Sequence, residues 1–355
     1  MADGADMVMD VAYDYWGKRV ATCASDQMIR VFDGQTGEKL SEWKAHNGSI
    51  WRLAWMHPEF GVALASCSFD RKVCIWEEVA DAEDSAAAGR AWKLQHEIQD
   101  ARDSVVDIDF APRHCGLRLV SCGEDRMVRV HEAPDVVDLS SWTLVSAFEA
   151  DGGAASTSGR ARASTPLCVA WCPSPSEPQM LVVGFSDGSV LLWAYDELHG
   201  RFSRAAAFDS SSSALSTPNP TTSHGSGNVK KGAEAVAHSD CVRDVSWAAD
   251  AGRSYQLIAT ASRDQTVRVW TLQSVASAGT NGGAAAAGVA GRTWQARCCC
   301  ELAHRSQVWR VEWNALGSML ASSEDDGTLR LFRLERSSAV WSQSSAVQLV
   351  AVAVE

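Results

Sequence analysis

Nothing in this 355-residue sequence is built to cross a bilayer: no apolar run approaches the roughly 20 residues that a membrane helix needs. Nor is there a basic stripe. Lys and Arg number 32 against 44 Asp and Glu, for a net charge of −12, and the cations do not cluster. Such a surface repels a phosphate backbone, so nucleic acid is not an expected partner. No signal peptide opens the chain, and its 11 cysteines follow no regular spacing. Most stand inside strand patterns, as Cys23, Cys67, Cys74 and Cys122 do. A reduced, cytosolic or nuclear protein is expected, without a disulfide framework. The signatures of catalysis are missing too: no Gly-rich phosphate loop, no H-E-x-x-H, no G-x-S-x-G elbow. Cys298-Cys299-Cys300 followed by His304 invites a metal reading. Consecutive strand residues point to opposite faces, however, and cannot converge on one tetrahedral ion. No enzyme, cofactor or metal is expected.

What the chain does have is repetition. The stretch AHNGSIWRLAWMHPEFGVALASCSFDRKVCIW, from Ala45 to Trp76, contains three runs that alternate with a period of two: Ser49–Trp55, Val62–Ser68 and Lys72–Trp76. A histidine precedes them, an S-x-x-x-D spacing joins the second to the third, and a tryptophan closes the set. The pattern returns five more times. Asp26, Asp70, Asp125, Asp187, Asp264 and Asp326 each precede a closing strand. Four residues before them stand Thr22, Ser66, Ser121, Val183, Thr260 and Ser322, a hydroxyl in five of six. His46, His238 and His304 stand four residues ahead of the first apolar position of their opening strands. This register resembles the WD-repeat β-propeller, in which each repeat makes one four-stranded blade.

A WD repeat takes roughly 40–45 residues, so six take about 250. The surplus is visible at 79–91, 149–163, 196–236 and 273–296, rich in Ala, Gly, Ser, Thr and Pro and without the apolar periodicity of a core element. These read as flexible insertions in a single all-β propeller over 5–350. The first strand, Met7–Tyr13, follows almost directly on the start of the chain. The extra N-terminal strand with which many propellers zip their ring shut is therefore not expected. Blade one continues through Arg19–Cys23, Met28–Phe32 and Lys39–Lys44, and the outer strand of blade two falls at Trp92–Ile98. Blade three (Val105–His131) and blade four (Leu167–Trp193) lack the histidine, and blade four lacks the hydroxyl, so these two are expected to be the softest. Blades five (Val242–Trp270) and six (Val308–Phe332) return to the full pattern, and the tail offers an outer strand and a further apolar run at Leu349–Val354.

A buried aspartate is costly unless its oxygens are hydrogen-bonded. In WD propellers the resembling Asp, Ser/Thr, His and Trp form a network that ties the strands of a blade together. Carried over by position, the network is His46, Ser66, Asp70 and Trp76; His238, Thr260, Asp264 and Trp270; and His304, Ser322 and Asp326, with Phe332 in the tryptophan slot. A His-Ser-Asp set also invites a hydrolase reading, but a catalytic triad occurs once and this set recurs. The variable residues of the opening strands are more informative about partners: Met9, Trp51, Val106, Leu167, Arg243 and Trp309, followed by Asp10, Arg52, Asp107, Cys168, Asp244 and Arg310. Trp51-Arg52 and Trp309-Arg310 combine residue types enriched at binding hot spots. They are candidate partner contacts, together with Met7, Met9 and Val11; the alternative is that the tryptophans pack between neighbouring blades.

Several stretches resemble one small propeller family more closely: HPEFG (57–61), LASCSFDRKVCIWEE (64–78), FAPRHCGLRLVSCGEDRMVRVHEAPDV (110–136), HSDCVRDVSW (238–247) and SQVWRVEWN (306–314). The family holds the WD-repeat nucleoporin of the Y-shaped nuclear pore scaffold subcomplex and its paralogue, the inner propeller of the COPII vesicle coat in ER-to-Golgi transport. HEAPDV followed by LSSW (139–142) is more similar to the nucleoporin. The resemblance implies a six-bladed open propeller and a seventh blade inserted in trans by an α-solenoid scaffold nucleoporin. It further implies a role in pore assembly and in nucleocytoplasmic transport of protein and mRNA at the nuclear envelope. Family members also join a nutrient-signalling complex of the TOR pathway, cytoplasmic or on vacuolar and lysosomal membranes. The residues agree with an open ring, since an uncovered strand edge is a liability unless another strand pairs with it. The expected slot is flanked by the Met7–Tyr13 strand and blade six. A ubiquitin-ligase receptor is the third reading, but the W-D-x-R motif such proteins often carry is replaced by VFDGQ, IWEEV and VWTLQ.

Overall fold

Residues 7–79, 91–150, 164–209, 237–250, 252–276, 292–335 and 340–348 are described by the computed structural model. Among them, strands follow one another in six four-stranded antiparallel sheets. The first blade is β1 (Val8–Tyr13), β2 (Arg19–Ala24), β3 (Met28–Asp33) and β4 (Lys39–Lys44). The second is β5 (Ile50–Trp55), β6 (Ala63–Ser68), β7 (Val73–Val79) and β8 (Ala91–Ile98). The third is β9 (Val105–Phe110), β10 (Arg118–Gly123), β11 (Met127–Glu132) and β12 (Thr143–Glu149). The fourth is β13 (Pro166–Trp171), β14 (Met180–Phe185), β15 (Val190–Asp196) and β16 (Arg201–Ala207). The fifth is β17 (Val242–Trp247), β18 (Gln256–Ser262), β19 (Thr266–Ala276) and β20 (Arg292–Ala303). The sixth is β21 (Val308–Trp313), β22 (Met319–Glu324), β23 (Thr328–Glu335) and β24 (Val340–Gln348). The protein is all-β, a six-bladed WD-repeat propeller. Contacts divide the chain into two compact units, Met1–Pro175 and Ser176–Glu355.

The repeated aspartate shapes each blade before it does anything else. In all six copies its carboxylate accepts from the backbone amide two residues on: Met28, Lys72, Met127, Ser189, Thr266 or Thr328. Such an Asx turn fixes the hairpin between the second and third strands. The residue between must adopt positive φ. It does so as Gln27 (72°), Arg71 (71°), Arg126 (65°) and Gln265 (66°), and as glycine at Gly188 (86°) and Gly327 (78°). A bulge then interrupts every outer strand pair at one place, as at Val31/Phe32 and Ile75/Trp76, and adds local twist.

Apolar side chains of facing sheets make the core. In the first unit, Ala21, Ile29 and Val31 of blade one meet Ile50, Leu53 and Leu64 of blade two, and Ala65 and Ile75 meet Ile108 and Leu119 of blade three. In the second unit, Leu257, Ala259 and Val269 of blade five meet Val311, Leu320 and Phe332 of blade six. Blade four keeps no hydroxyl at Val183 and has a wholly buried second strand, Met180–Phe185.

The expected insertion at 196–236 contains the outer strand of blade four, β16, whose alternation is masked in sequence by Arg and Ser. That at 273–296 is in part strand: its two ends lengthen the β19–β20 hairpin, with Ser274 paired to Trp294 and Val275 to Thr293. Residues 80–90, 151–163, 210–236 and 277–291 of the four insertions, and the run at Leu349–Val354, fall outside the described residues.

Candidate functional site

Blade five shows the network most fully. The Trp270 indole donates to Thr260 Oγ1 at 3.0 Å, Thr260 Oγ1 stands 2.7 Å from His238 Nε2, and His238 Nδ1 stands 3.0 Å from Asp264 Oδ2. Donors and acceptors match along the chain in one way, with the threonine hydroxyl donating to Nε2 and the proton of a neutral imidazole on Nδ1. Blade two repeats it: Trp76 to Ser66 at 2.9 Å, Ser66 to His46 at 2.8 Å, and His46 Nδ1 at 3.1 Å from both oxygens of Asp70. The Asn47 amide donates to Asp70 at 3.0 Å, and the Ser239 amide to Asp264 at 3.1 Å. Burial would raise the Asp70 carboxyl, but the bonds from His46 and from the Asn47 and Lys72 amides outweigh it and hold it at about 2. Burial lowers the proton affinity of His238 even with Asp264 in front of it.

Blade six departs from the expected set. His304 Nε2 stands 2.8 Å from Ser322 Oγ, but its Nδ1 donates to the Leu302 carbonyl at 2.9 Å, and Asp326 is not among its partners. The longer, buried Glu324, two residues earlier, takes the amides of Arg305 and Ser306 at 3.0 and 3.1 Å and pairs with Arg330. Asp326 only fixes its turn, accepting from Thr328. Phe332 lays its ring against His304 at 5.5 Å instead of donating.

In blades one and three, which lack the histidine, the arginine four residues after the aspartate takes its carboxylate; blade four has Leu191 at that place. Arg30 pairs with Asp26 at 2.6 Å in blade one, and Arg129 grips both oxygens of Asp125 at 3.2 and 2.6 Å in blade three. This arginine column was visible in the sequence and was missed, because a lone basic residue on a strand usually faces solvent.

A second set of side chains joins blades to each other. Asp10 Oδ2 accepts from the Leu53 amide at 2.9 Å, and the Trp55 indole donates to the Ala12 carbonyl at 2.9 Å. Asp107 Oδ2 accepts from the Val169 amide at 2.8 Å, and the Trp171 indole donates to the Asp109 carbonyl at 3.2 Å. Asp244 Oδ2 accepts from the Val311 amide at 2.9 Å, and the Trp313 indole donates to the Ser246 carbonyl at 3.1 Å. The alternation Asp10, Arg52, Asp107, Cys168, Asp244, Arg310 is thus a seam code: odd blades bring the acceptor, even blades the amide.

The candidate partner contacts separate accordingly. Arg52 belongs to the seam, with Nε 2.6 Å from Asp107 and Nη1 3.7 Å from Asp10. Arg310 stands 3.9 Å from Asp244. Trp51 packs on the core between blades two and three, and Met9 on that between blades one and two. Trp309 is 42% exposed, lies under the Arg243 guanidinium at 4.5 Å and donates to Asp325 at 2.9 Å. Met7 and Val11 are exposed, and with them Val8 and Tyr13, so that β1 offers an apolar face. Cys299 donates to the Val269 carbonyl, and burial pushes its thiol to about 12 and that of Cys300 to about 11. Among the described residues no group of three or more His, Cys, Asp or Glu is placed to hold a metal ion, and no helix is long and apolar enough to cross a membrane.

A WD-repeat propeller whose recurrent polar residues are spent on joining strands and blades belongs to the structural, non-enzymatic class of protein. The family described as WD domain, G-beta repeat, matches residues 3–33, 37–77, 232–271 and 296–333. Blades three and four, without the histidine, fall outside those stretches. The chain is 35% identical over 346 residues to nucleoporin SEH1 of Homo sapiens, covering 94% of this chain and 83% of that protein. It is 34% identical over 345 residues to nucleoporin SEH1 of Xenopus tropicalis, with the same coverage. Over 346 residues it is 35% identical to that of Danio rerio, covering 94% and 82%. The chain belongs to the SEH1 family of nucleoporins. Membership makes it a structural component of the nuclear pore complex.

Proposed function

We propose that the chain docks an α-solenoid scaffold nucleoporin by receiving a β-blade from it against β1. Through that contact it supports pore assembly and the nucleocytoplasmic transport of protein and mRNA. The observation that carries this reading is the apolar face of β1, where Met7, Val8, Val11 and Tyr13 are 53–64% exposed. An edge strand with such a face is an aggregation hazard in isolation and a docking platform in an assembly. Trp309 and Arg310 are a second contact candidate on blade six. The COPII inner-propeller reading finds no support in the relatives named above. A second assembly, the nutrient-signalling complex of the TOR pathway in the cytoplasm or at vacuolar or lysosomal membranes, uses the same β1 face in this proposal and excludes the first partner from it.

Affinity purification of the tagged chain from native extract, with quantitative mass spectrometry, tests the docking. One solenoid protein is expected at equal stoichiometry, with tagged chain at the nuclear rim. Deletion of residues 7–13 is expected to abolish the association and leave the other blades folded. Unchanged association after that deletion overturns the proposal.

A further inference from the structure

The seam amides have a counterpart on β1. Leu53, Val169 and Val311, the residues that donate their amides to Asp10, Asp107 and Asp244, directly follow Arg52, Cys168 and Arg310. Val11, directly after Asp10, holds the same place in β1. Its register is also the same: Val11 opposes Thr22 as Leu53 opposes Ser66 and Val311 opposes Ser322. The β-bulge before it recurs as well, at Val8/Asp10, Ile50/Arg52 and Val308/Arg310. Leu53 and Val311 turn their amides away from their own sheets toward a neighbouring carboxylate, so the Val11 amide points out of the first sheet. Among the described residues no acceptor faces it. Ile108 in blade three solves the same problem locally, by donating to its own predecessor, Asp107 Oδ1, at 2.9 Å. Asp10 is turned the other way, with Oδ2 on the Leu53 amide and Oδ1 toward Arg52.

An amide that becomes buried must find a partner, or docking carries the full cost of stripping water from it. We propose that the strand docking on β1 carries an aspartate or glutamate whose carboxylate accepts the Val11 amide, flanked by apolar residues that cover Met7, Val8 and Tyr13. The inference rests on the reading that β1 receives a partner's blade. It goes further in naming one charged side chain and the atom it meets. Tyr13 stands at the place of Trp55, Trp171 and Trp313, each of which donates to a carbonyl in the opening strand of the preceding blade. Its hydroxyl is the matching donor here.

Hydrogen–deuterium exchange of the isolated chain and of the affinity-purified native assembly tests this, together with a density map of that assembly. The Val11 amide is expected to exchange freely in the isolated chain and at least 100-fold more slowly in the assembly, with a carboxylate about 3 Å from it in the map. Val11→Pro removes the outward N–H of an edge strand, a position where proline is tolerated, and also restricts the backbone of Asp10. It is expected to lower partner stoichiometry at least tenfold, whereas Val11→Ala retains the partner. Protection of β1 with a carbonyl or side-chain amide facing Val11 overturns the acidic residue and leaves docking standing. An assembly with nothing on β1 overturns the docking reading itself. Slow exchange at Val11 in the isolated chain means that the chain covers its own edge, and overturns both. The exchange and map measurements on the unaltered chain decide the matter even if the proline variant misfolds.

Discussion

Asp107 is bonded from two directions at once: Arg52 Nε stands 2.6 Å from Oδ1, and the Val169 amide 2.8 Å from Oδ2. One buried carboxylate therefore joins β5, β9 and β13. Replacing it by alanine leaves a largely buried guanidinium without its closest anion and a buried amide without its acceptor. Asp107→Ala is expected to destabilise the chain by about 3–5 kcal/mol. Arg52→Met is expected to cost less, because Asp107 keeps the amides of Ile108 and Val169. Urea denaturation of both variants checks the order, and equal midpoints would refute the seam.

Thr260 and Ser322 occupy one column with unequal duties. Thr260 Oγ1 receives the Trp270 indole and donates to His238, whereas Ser322 Oγ meets His304 with no indole behind it. Thr260→Val strands two buried polar groups and is expected to cost about 2–4 kcal/mol. Ser322→Ala strands one and is expected to cost about 1–2 kcal/mol. Chemical denaturation of the pair measures the difference.

The buried histidines give stability a definite pH slope. Burial holds His238 and His304 below the ordinary histidine value of about 6.5, so the unfolded chain binds more protons in that window. The histidine contribution is expected to be full above about pH 6.5 and to fall as the pH drops through it. Asp109 contributes in the opposite sense: burial raises its carboxyl to about 7, so its share is lost as the pH rises. Asp70, held at about 2, adds stability that is present above the unfolded value of about 3.9 and is lost as pH falls toward 2. Denaturation midpoints of an Asp109→Asn variant between about pH 5 and 7.5 isolate the histidine part, where a flat or inverted profile would contradict it.

Gly188 sits at φ +86°, and a Cβ there would stand 2.2 Å from the His238 carbonyl oxygen, backbone that cannot step aside. Gly188→Ala is expected to destabilise by roughly 3 kcal/mol or more. Gly37 has a similar φ of +73° but open space around it, so Gly37→Ala is expected to cost only about 1 kcal/mol, the left-handed penalty alone. Thermal unfolding of the two variants separates clash from conformation.

The blades were legible because strand alternation and the Asx-turn aspartate are local signals that repeat. The histidine network of blades two and five was legible by spacing. Two things were not. Glu324 takes over from Asp326 because a longer side chain two residues earlier reaches the same amides, and spacing alone does not register reach. The role of Asp10, Asp107 and Asp244 is invisible within one repeat, since each bonds a strand more than 40 residues away. The insertion at 196–236 hid β16 because Arg201, Ser203 and Arg204 dilute its apolar face.

His46 and His238 have both ring nitrogens occupied and their side chains fully buried, and the buried His304 likewise has both nitrogens engaged. An acylating reagent such as a pyrocarbonate, which needs a bare imidazole nitrogen, is therefore blind to these three among the chain's nine histidines. Mass mapping of the labelled sites then turns each imidazole into a reporter of its own blade, silent while that blade is intact and modified when it opens.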